Sequence, residues 1–310
     1  MPHLCVQALA KVNLGLRVLY KRPDGYHEVR TILQTISLAD RVELEYRRST
    51  ASGGDRRVEL TCSRADLSGG ENLAAQAARQ LLEATGSRGV VRIHLTKRIP
   101  VGAGLGGGSS DAAAVLRALG WLLRPRPGIS VLLRLAKALG SDVPFFLLGG
   151  RALGLGRGTE LYPLPEGPER WMLLLTPRLE ISTAQAYQQG SRDLTSHGWE
   201  DKIDRFCSSA YGFEQGVAEG IGAAPENDFE AVIFRLHPKL KQLKARLQEW
   251  GAQPALLCGS GSALFGVFAD RQQALRAHHS LNPEDVPSRV VKSVGRRGFR
   301  ERWLRWLKEN

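Results

Sequence analysis

A glycine-rich segment between two patterned elements constrains this chain more than any other feature. Residues 100–111 read Pro-Val-Gly-Ala-Gly-Leu-Gly-Gly-Gly-Ser-Ser-Asp. In the preceding stretch 90–96, apolar and polar residues alternate, which predicts a strand with one buried face. The following stretch 111–119 is rich in alanine and leucine, which predicts a helix. The chain therefore contains a strand, a glycine loop and a helix in immediate succession.

This arrangement favours the binding of an anion at the loop. Glycine has no Cβ, so a glycine-rich backbone can turn tightly and lie close to a ligand. The first N–H groups of a helix have no partner within the helix and carry partial positive charge. A phosphate group is the expected ligand. The alternative is a flexible linker, but a linker is not framed by a patterned strand and a helix.

Three well-known phosphate loops do not fit the segment. The nucleotide P-loop places a lysine before its Ser or Thr, whereas Gly108 is followed directly by Ser109. A dinucleotide-binding loop is followed about twenty residues later by an acidic residue. The sequence has none between Asp111 and Asp142. A protein-kinase loop is accompanied by His-Arg-Asp and Asp-Phe-Gly motifs, and the sequence contains neither.

Composition places the chain among globular proteins. Its 310 residues suggest two domains, with 43% hydrophobic and 24% charged residues. The net charge is +12, and half of this excess lies in the tail 289–310, which we interpret as a solvated basic helix end. The four scattered cysteines indicate free thiols in a reducing compartment. The sequence shows no signal peptide and no membrane-spanning run, so we expect a cytoplasmic protein.

The order of the predicted elements indicates an α+β protein of two domains. In the first half strands are followed by helices, and a glycine- and proline-rich stretch, 154–168, marks the domain boundary. The second half reads β-α-β-β-α-β, which is the ferredoxin-like arrangement. The segment 188–224 shows no clear period. The predicted strands of the first half, before the one that leads into the loop, are Leu4–Leu9, Asn13–Val18, Val29–Ile36, Val42–Tyr46 and Val58–Cys62.

Five segments, including the glycine loop, resemble the motifs of the GHMP kinases, a family that includes galactokinase, homoserine kinase and mevalonate kinase. Besides 100–111, these are Ala-Lys-Val-Asn-Leu at 10–14, Gly-Ser-Asp-Val-Pro-Phe-Phe at 140–146 and Cys-Gly-Ser-Gly-Ser at 258–262. The fifth, Arg-Pro-Asp-Gly-Tyr-His-Glu at 22–28, resembles the branch acting on 4-diphosphocytidyl-2-C-methyl-D-erythritol. Leu9 and Cys258 stand where we expect proline and serine.

The resemblance implies a fold, an activity and ligands. It implies a ribosomal-protein-S5-like, ATP-binding domain at 1–160 and a ferredoxin-like α/β sandwich at 161–310 that ends in the basic tail. The implied activity is ATP-dependent phosphorylation of the 2-hydroxyl of 4-diphosphocytidyl-2-C-methyl-D-erythritol, in non-mevalonate isoprenoid synthesis. The implied ligands are ATP, Mg²⁺ and a small-molecule substrate, with no membrane or nucleic-acid partner.

The resemblance also implies the roles of individual residues. Lys11 and Asp142 form the catalytic pair. Asn13, Tyr26, His27 and Tyr187 bind the substrate, with the aromatic rings at a cytosine. The expected ATP-binding residues are Pro100, Val101, Gly102, Ala103, Gly104, Leu105, Gly106, Gly107, Gly108, Ser109 and Ser110.

Physical reasoning on the same residues supports these roles and leaves alternatives open. A carboxylate at 142 could accept the proton of a hydroxyl, and a cation at 11 would hold it ionised. Asp142 could instead cap a helix, and Lys11 could be an ordinary exposed lysine. Ser110, with Ser109 as second choice, is the candidate Mg²⁺ ligand, although a serine there could also cap a helix. Tyr187 could be a core aromatic residue.

Two other functions stay open at this point. One is a related small-molecule kinase for mevalonate or homoserine, against which the segment 24–27 argues. The other is an RNA-binding protein, because the predicted first-domain topology also occurs in ribosomal proteins and the chain is basic. Aromatic residues interleaved with basic residues on a sheet would favour RNA binding, and we find no such pattern in the sequence.

Overall fold

The computed structural model describes residues 3–49, 56–69, 71–182, 185–189, 198–215, 224–281 and 286–308. The strands are β1 His3–Lys21, β2 His27–Arg48, β3 Arg56–Cys62, β4 Gly89–Thr96, β5 Arg151–Leu155, β6 Glu160–Pro163, β7 Trp171–Leu175, β8 Ala255–Leu257, β9 Leu264–Phe268 and β10 Ser288–Lys292. The α-helices are α1 Leu73–Ala84, α2 Gly107–Leu122, α3 Ile129–Leu139, α4 Val143–Leu148, α5 Trp199–Gln215, α6 Phe229–Leu236, α7 Pro238–Glu249, α8 Arg271–His279 and α9 Arg296–Lys308.

The two longest strands of the first sheet, β1 and β2, pair with each other in antiparallel orientation. The predicted turn at Pro23-Asp24-Gly25 joins them, closed by a bond from Arg22 N to Tyr26 O at 2.7 Å. The prediction of four short strands here was wrong, because β1 and β2 each continue without a turn. The register of β1 against β2 shifts between Leu9 and Lys11, which is a bulge. Bulges can re-aim a side chain beside a functional site.

The rest of the first sheet extends from β2. Its order is β3-β4-β2-β5-β6, with β1 on β2 outside this path. Alanine-rich helices α1 and α2 pack on each other and on the sheet, since small residues allow close approach of two helices. Strand β6 pairs with β5, so the chain leaves this sheet between Pro163 and Trp171. The predicted domain boundary, between residues 160 and 161, lies within β6.

The second sheet confirms the ferredoxin-like prediction. Its order is β10-β7-β9-β8, and each neighbouring pair is antiparallel. Helices α5 to α7 lie in sequence between β7 and β8, and α8 lies between β9 and β10. Helix α5 occupies most of the described part of the segment 188–224, for which the sequence showed no period. Ser52-Gly53-Gly54, a predicted turn, lies outside the described residues.

A shared apolar core joins the two sheets. Ala10 and Val12 of β1 pack in one buried cluster with Met172 and Leu174 of β7 and Phe265 of β9. Strand β1 is therefore buried by the second domain as well as by its own. This junction positions the residues at the middle of β1, including Lys11, between the domains.

The basic tail is more than a solvated helix end. Phe299 of α9 is 6% exposed and packs in a small cluster with Leu9 of β1. The guanidinium of Arg296 donates to the carbonyl oxygen of Arg151 at 2.7 Å. The start of α9 is thus anchored on the first domain, because one aromatic side chain and one hydrogen-bonded arginine face inward.

Candidate active site

One cavity of about 1140 Å³ brings most of the predicted site residues together. It is lined by parts of β1, the β1–β2 turn, the glycine loop, the start of α4 and the segment around Tyr187. The predicted site residues that line it are Lys11, Asn13, Tyr26, His27, Pro100, Val101, Gly102, Ala103, Gly104, Leu105, Gly106, Gly107, Gly108, Ser109, Asp142 and Tyr187. Ser110 is not among the lining residues.

The predicted catalytic pair lies in this cavity. The Nζ of Lys11 is 3.5 Å from Oδ2 of Asp142, with the lysine side chain 4% exposed and the aspartate side chain 39% exposed. Lys11 also donates to Oδ1 of Asn13 at 2.8 Å, and Nδ2 of Asn13 donates to Thr31 Oγ1 at 2.8 Å. A buried cation needs such partners. They fix the ammonium beside a carboxylate that is open to the cavity.

Asp142 stands at a helix start without serving as a cap. It occupies the N-cap position of α4, but its side chain makes no capping hydrogen bond. By contrast, Oδ1 of Asp270, at the start of α8, accepts a hydrogen bond from the N–H of Gln273 at 2.8 Å. The carboxylate of Asp142 is therefore available for Lys11 and for a ligand.

The glycine loop leads into α2 earlier than expected. Gly102, Gly104 and Gly106 have φ angles of +65°, +76° and +73°, values that L-residues with side chains rarely adopt. Helix α2 begins at Gly107, four residues before the predicted start at Asp111. The last two glycines and both serines thus form the first helical turn, which places unpaired helix N–H groups at the cavity.

The two serines of the loop have different surroundings. The hydroxyl of Ser110 is buried and donates to the carbonyl oxygen of Leu9 at 2.7 Å. Ser109 is partly exposed and lines the cavity. Of the two, Ser109 therefore has the more accessible hydroxyl for a ligand.

An aromatic cluster forms another part of the cavity wall. The rings of His27 and Tyr187 are stacked, with centroids 4.4 Å apart and planes 14° apart, and Tyr187 meets Phe229 edge-on at 4.9 Å. Burial, with Lys21 nearby, lowers the pKa of His27, which favours the neutral ring. Burial, helped by Asp142, raises the pKa of Tyr187 to about 12. Tyr187 is thus both a packed aromatic residue, as the alternative held, and a cavity residue.

The sequence reasoning missed a buried ionic cluster beside the loop. Lys97 Nζ donates to Oδ2 of Asp111 at 2.6 Å and also to Asp40. Oδ1 of Asp111 is buried and has no hydrogen-bond partner among the described residues. Lys97 and Asp111 both line the cavity. Because Asp40 and Asp111 are about 70 residues apart in sequence, only the fold could reveal this cluster.

The pKa of Asp111 makes the cluster sensitive to pH. Burial, with Asp40 adding to it and Lys97 opposing it, raises this pKa from 3.8 to about 7. The folded chain therefore binds this proton more tightly than the unfolded chain does. Its stabilising contribution is complete below about pH 4 and is lost as the pH rises through about 7.

We expect Asp111→Asn, which cannot ionise, to lose this pH dependence. The difference in unfolding free energy between variant and wild type should shift in the variant's favour from pH 5 to pH 8, as measured by urea melts. Asp66→Asn is the control, since that carboxylate is exposed and pairs with Arg64 at the surface. A difference for Asp111→Asn that stays constant with pH would contradict the assignment.

Every helix in the described ranges is too short or too polar to cross a bilayer.

Comparison with known proteins gives the family. The models of the GHMP kinases N terminal domain and the GHMP kinases C terminal region match residues 72–150 and 210–286. The chain is 46% identical to 4-diphosphocytidyl-2-C-methyl-D-erythritol kinase of Solibacter usitatus, over 99% of this chain and 94% of the relative. It is 41% identical to the Moorella thermoacetica protein of the same name, over 94% of this chain and 100% of the relative.

Comparison with solved structures gives the same family and the same fold. A crystal structure of 4-(cytidine 5'-diphospho)-2C-methyl-D-erythritol kinase has a TM-score of 0.79 and 37% identity, covering 94% of this chain and 100% of that one. Homoserine kinase from Cytophaga hutchinsonii has a TM-score of 0.68 at 19% identity, covering 95% of each chain, and shares the fold alone. The two-domain GHMP kinase fold is thereby confirmed. This chain belongs to the GHMP kinases, in the family of the 4-diphosphocytidyl-2-C-methyl-D-erythritol kinases.

Proposed function

We propose that this chain transfers the γ-phosphoryl group of ATP to the 2-hydroxyl of 4-diphosphocytidyl-2-C-methyl-D-erythritol, in the non-mevalonate route to isoprenoids. The observation that carries the proposal is the 3.5 Å pair of Lys11 and Asp142 in a cavity lined by both a glycine loop and an aromatic cluster. The family relatives described above are named for this acceptor.

The catalytic pair would act on the acceptor hydroxyl. Phosphoryl transfer has a loose transition state, so most of the catalysis comes from positioning and charge stabilisation. The carboxylate of Asp142 would take the hydroxyl proton late in the step. The Lys11 ammonium would lower the pKa of that hydroxyl and stabilise its developing negative charge. Asn13 would hold the substrate polyol or its phosphates while also fixing Lys11.

The glycine loop would bind the triphosphate. Three positive-φ glycines bring the backbone close to the ligand, and the first turn of α2 offers unpaired N–H donors. ATP would bring Mg²⁺, which neutralises charge on the β- and γ-phosphates when bound. The described residues contain no group of three His, Cys, Asp or Glu that could hold a metal ion by themselves. The hydroxyl of Ser109, more accessible than that of Ser110, would supply the protein's oxygen ligand.

The aromatic cluster would recognise the cytosine. Flat rings stack on a pyrimidine, and mevalonate and homoserine have no ring to stack. Nε2 of His27 is buried and has no hydrogen-bond partner within the described structure. A buried polar atom of this kind is expected to find a partner when the ligand binds. An edge of the base could provide that partner.

The identity of the acceptor is tested by comparing turnover of three candidate acceptors. Purified protein would be supplied with ATP, Mg²⁺ and, in separate reactions, the cytidylyl acceptor, mevalonate and homoserine. We expect turnover with the first acceptor, and phosphorus NMR of the product should show a new phosphomonoester at the 2-position. Equal or better turnover of mevalonate or homoserine would overturn the acceptor assignment.

Three single variants should each weaken binding of the acceptor without weakening binding of ATP: Tyr26→Ala, His27→Ala and Tyr187→Ala. Lost stacking is worth about 0.5–1.5 kcal/mol, and a buried hydrogen bond left unmade costs about 1–3 kcal/mol more. We therefore expect the acceptor KM to rise by about tenfold where only stacking is lost and up to about a thousandfold where both are lost, at 1.4 kcal/mol per tenfold. The KM for ATP measured on the same variants is the internal control. Equal effects on both substrates would contradict the pyrimidine assignment.

The same proposal covers location and partners. The cysteines Cys5, Cys62, Cys207 and Cys258 are all free in the structure, which fits the reducing cytoplasm. The partners would be small molecules. Salt-sensitive RNA binding that neutralising α9 abolishes would instead support the ribosomal-type alternative.

A further inference from the structure

Arg157 lies directly over one of the proposed substrate-binding rings. Its Cζ is 3.4 Å from the centroid of the Tyr26 ring, the contact distance of a guanidinium lying flat on an aromatic face. Both residues line the cavity that contains Lys11 and Asp142. The sequence signal for Arg157 was weak: a single arginine between two glycines.

The backbone around Arg157 is held in place. Gly156 and Gly158 have φ angles of +66° and +84°, so they make the tight turn between β5 and β6. The carbonyl oxygen of Gly156 accepts from Val29 N at 2.8 Å, and its N–H donates to Oε1 of Glu28 at 3.2 Å. The turn is therefore fixed to the start of β2, next to the proposed base-binding residues.

Arg157 also differs from its basic neighbours because it forms no ion pair within 4.0 Å in the described part of the chain. Arg22 and Arg30 both form ion pairs with Glu28, at 2.6 and 2.5 Å. In the described ranges, the Arg157 guanidinium forms no ion pair within 4.0 Å and no side-chain hydrogen bond, and its Nε is buried without a partner. The Asp24 carboxylate is near enough to interact with this charge, but it forms its ion pair with Arg22. Leaving a partly buried charge without a partner is costly. Such a charge is expected where a ligand supplies the opposite charge.

The other cations of the cavity are less suited to this task. Lys11 is held by Asn13 and Asp142, and Lys97 is held by two carboxylates. Lys21 is exposed, so solvent screens its charge. Arg157 combines a charge that has no ion pair within 4.0 Å among the described residues, a fixed backbone and a position on the cavity wall. A planar guanidinium is also well matched to phosphate oxygens.

We propose that Arg157 is a specificity-determining residue that binds the diphosphate of the cytidylyl acceptor, with Tyr26 holding its guanidinium flat. The inference rests on the proposed function, because the acceptor assigned there carries that diphosphate. The role is separate from stacking on the base. An acceptor or competitor that keeps the cytidine but lacks the diphosphate should therefore not depend on Arg157.

The test compares CDP with cytidine as competitors in the full-length protein. In Arg157→Gln, which keeps a polar side chain but loses the charge, the inhibition constant for CDP and the KM of the acceptor should rise about ten- to hundred-fold. Cytidine inhibition and the KM for ATP should stay within about twofold. Arg157→Lys, which keeps the charge without the planar fork, should recover part of the CDP affinity.

Arg246→Gln is the matched control. Its guanidinium also lies over an aromatic ring, with Cζ 5.0 Å from the centroid of Trp250, but it does not line the cavity. We expect Arg246→Gln to leave the inhibition constants for CDP and cytidine and the KM for ATP unchanged. Thermal melting of all three variants shows whether each is folded.

Two results would overturn the role of Arg157. If inhibition by CDP and inhibition by cytidine weaken equally in Arg157→Gln, Arg157 acts only by orienting Tyr26. If cytidine binds more tightly in Arg157→Gln, the guanidinium occupies the place of the base instead of binding phosphate. A wild-type chain that neither binds CDP nor phosphorylates the cytidylyl acceptor would contradict the proposed function itself. Normal wild-type binding with unchanged CDP affinity in both variants would overturn only the present proposal.

Discussion

Asp142→Asn is expected to keep its ATP affinity and to lose about 10²–10⁴-fold in kcat. The amide has nearly the shape of the carboxylate, but it cannot accept the proton of the acceptor hydroxyl. Its oxygen could still lie near Lys11, which is 3.5 Å from the wild-type carboxylate, so local packing should survive. Steady-state kinetics with saturating acceptor, together with ATP titration, measure the two quantities separately.

The partner variant tests whether the pair works as a unit. Lys11→Met should also be severely slow, because it would remove the cation that we propose lies beside the reacting oxygen. Combined with Asp142→Asn, the loss should be much smaller than the product of the two single losses, since both residues act on one hydroxyl. Fully multiplicative losses would mean that the two residues act in separate steps.

Asp270 offers a control for the capping alternative. It has the same position at a helix start, but it makes a capping bond, and it lies outside the cavity. Asp270→Ala should therefore lower the unfolding free energy by about 0.5–2 kcal/mol with little change in kcat. Asp142→Ala should instead lose most of its kcat with little change in the unfolding free energy. A stable, active Asp142→Ala protein would show that the carboxylate has no catalytic role.

Strand β1 shows why parts of the fold escaped prediction. Its residues are buried almost continuously from Leu4 to Leu19, because helices cover one face and the second domain covers the other. Burial on both faces removes the alternation of apolar and polar residues that identifies a half-buried strand. Residues 10–12, with the polar Lys11 at their centre, were therefore left out of the predicted strands on either side. In β4, where one face is exposed, the alternation was present and the strand was predicted correctly.

The candidate site residues that the sequence could propose lie in local motifs. Lys11, the glycine loop and Asp142 each belong to a short segment whose residue order is distinctive, and the fold brings all three to one cavity. Lys97, Asp40 and Arg157 belong to no such segment. Their placement depends on contacts between distant parts of the chain, such as the pairing of the β5–β6 turn with the start of β2. Sequence patterns within one element cannot contain that information.

Gly104→Ala is expected to have a larger effect than any other single-methyl change in the loop. The φ of Gly104 is +76°, and an added Cβ would lie 1.9 Å from the carbonyl oxygen of Cys258. That oxygen is backbone, so it cannot move aside as a flexible side chain can. The left-handed conformation alone costs about 1–2 kcal/mol for a residue with a Cβ. The clash would therefore separate the loop from the Cys258–Ser262 segment, rather than simply block the path of the phosphates.

Gly108→Ala is the matched control for this prediction. Gly108 lies in the first turn of α2, has no positive φ, and would place its Cβ 3.7 Å from Leu73, an ordinary contact. We expect Gly104→Ala to lower the melting temperature and raise the KM for ATP at least about tenfold, which corresponds to about 1.4 kcal/mol. Gly108→Ala should keep both values close to those of the wild type. If the two variants lose stability and ATP affinity equally, the loop depends on glycine content in general, and the contact with Cys258 has no special role.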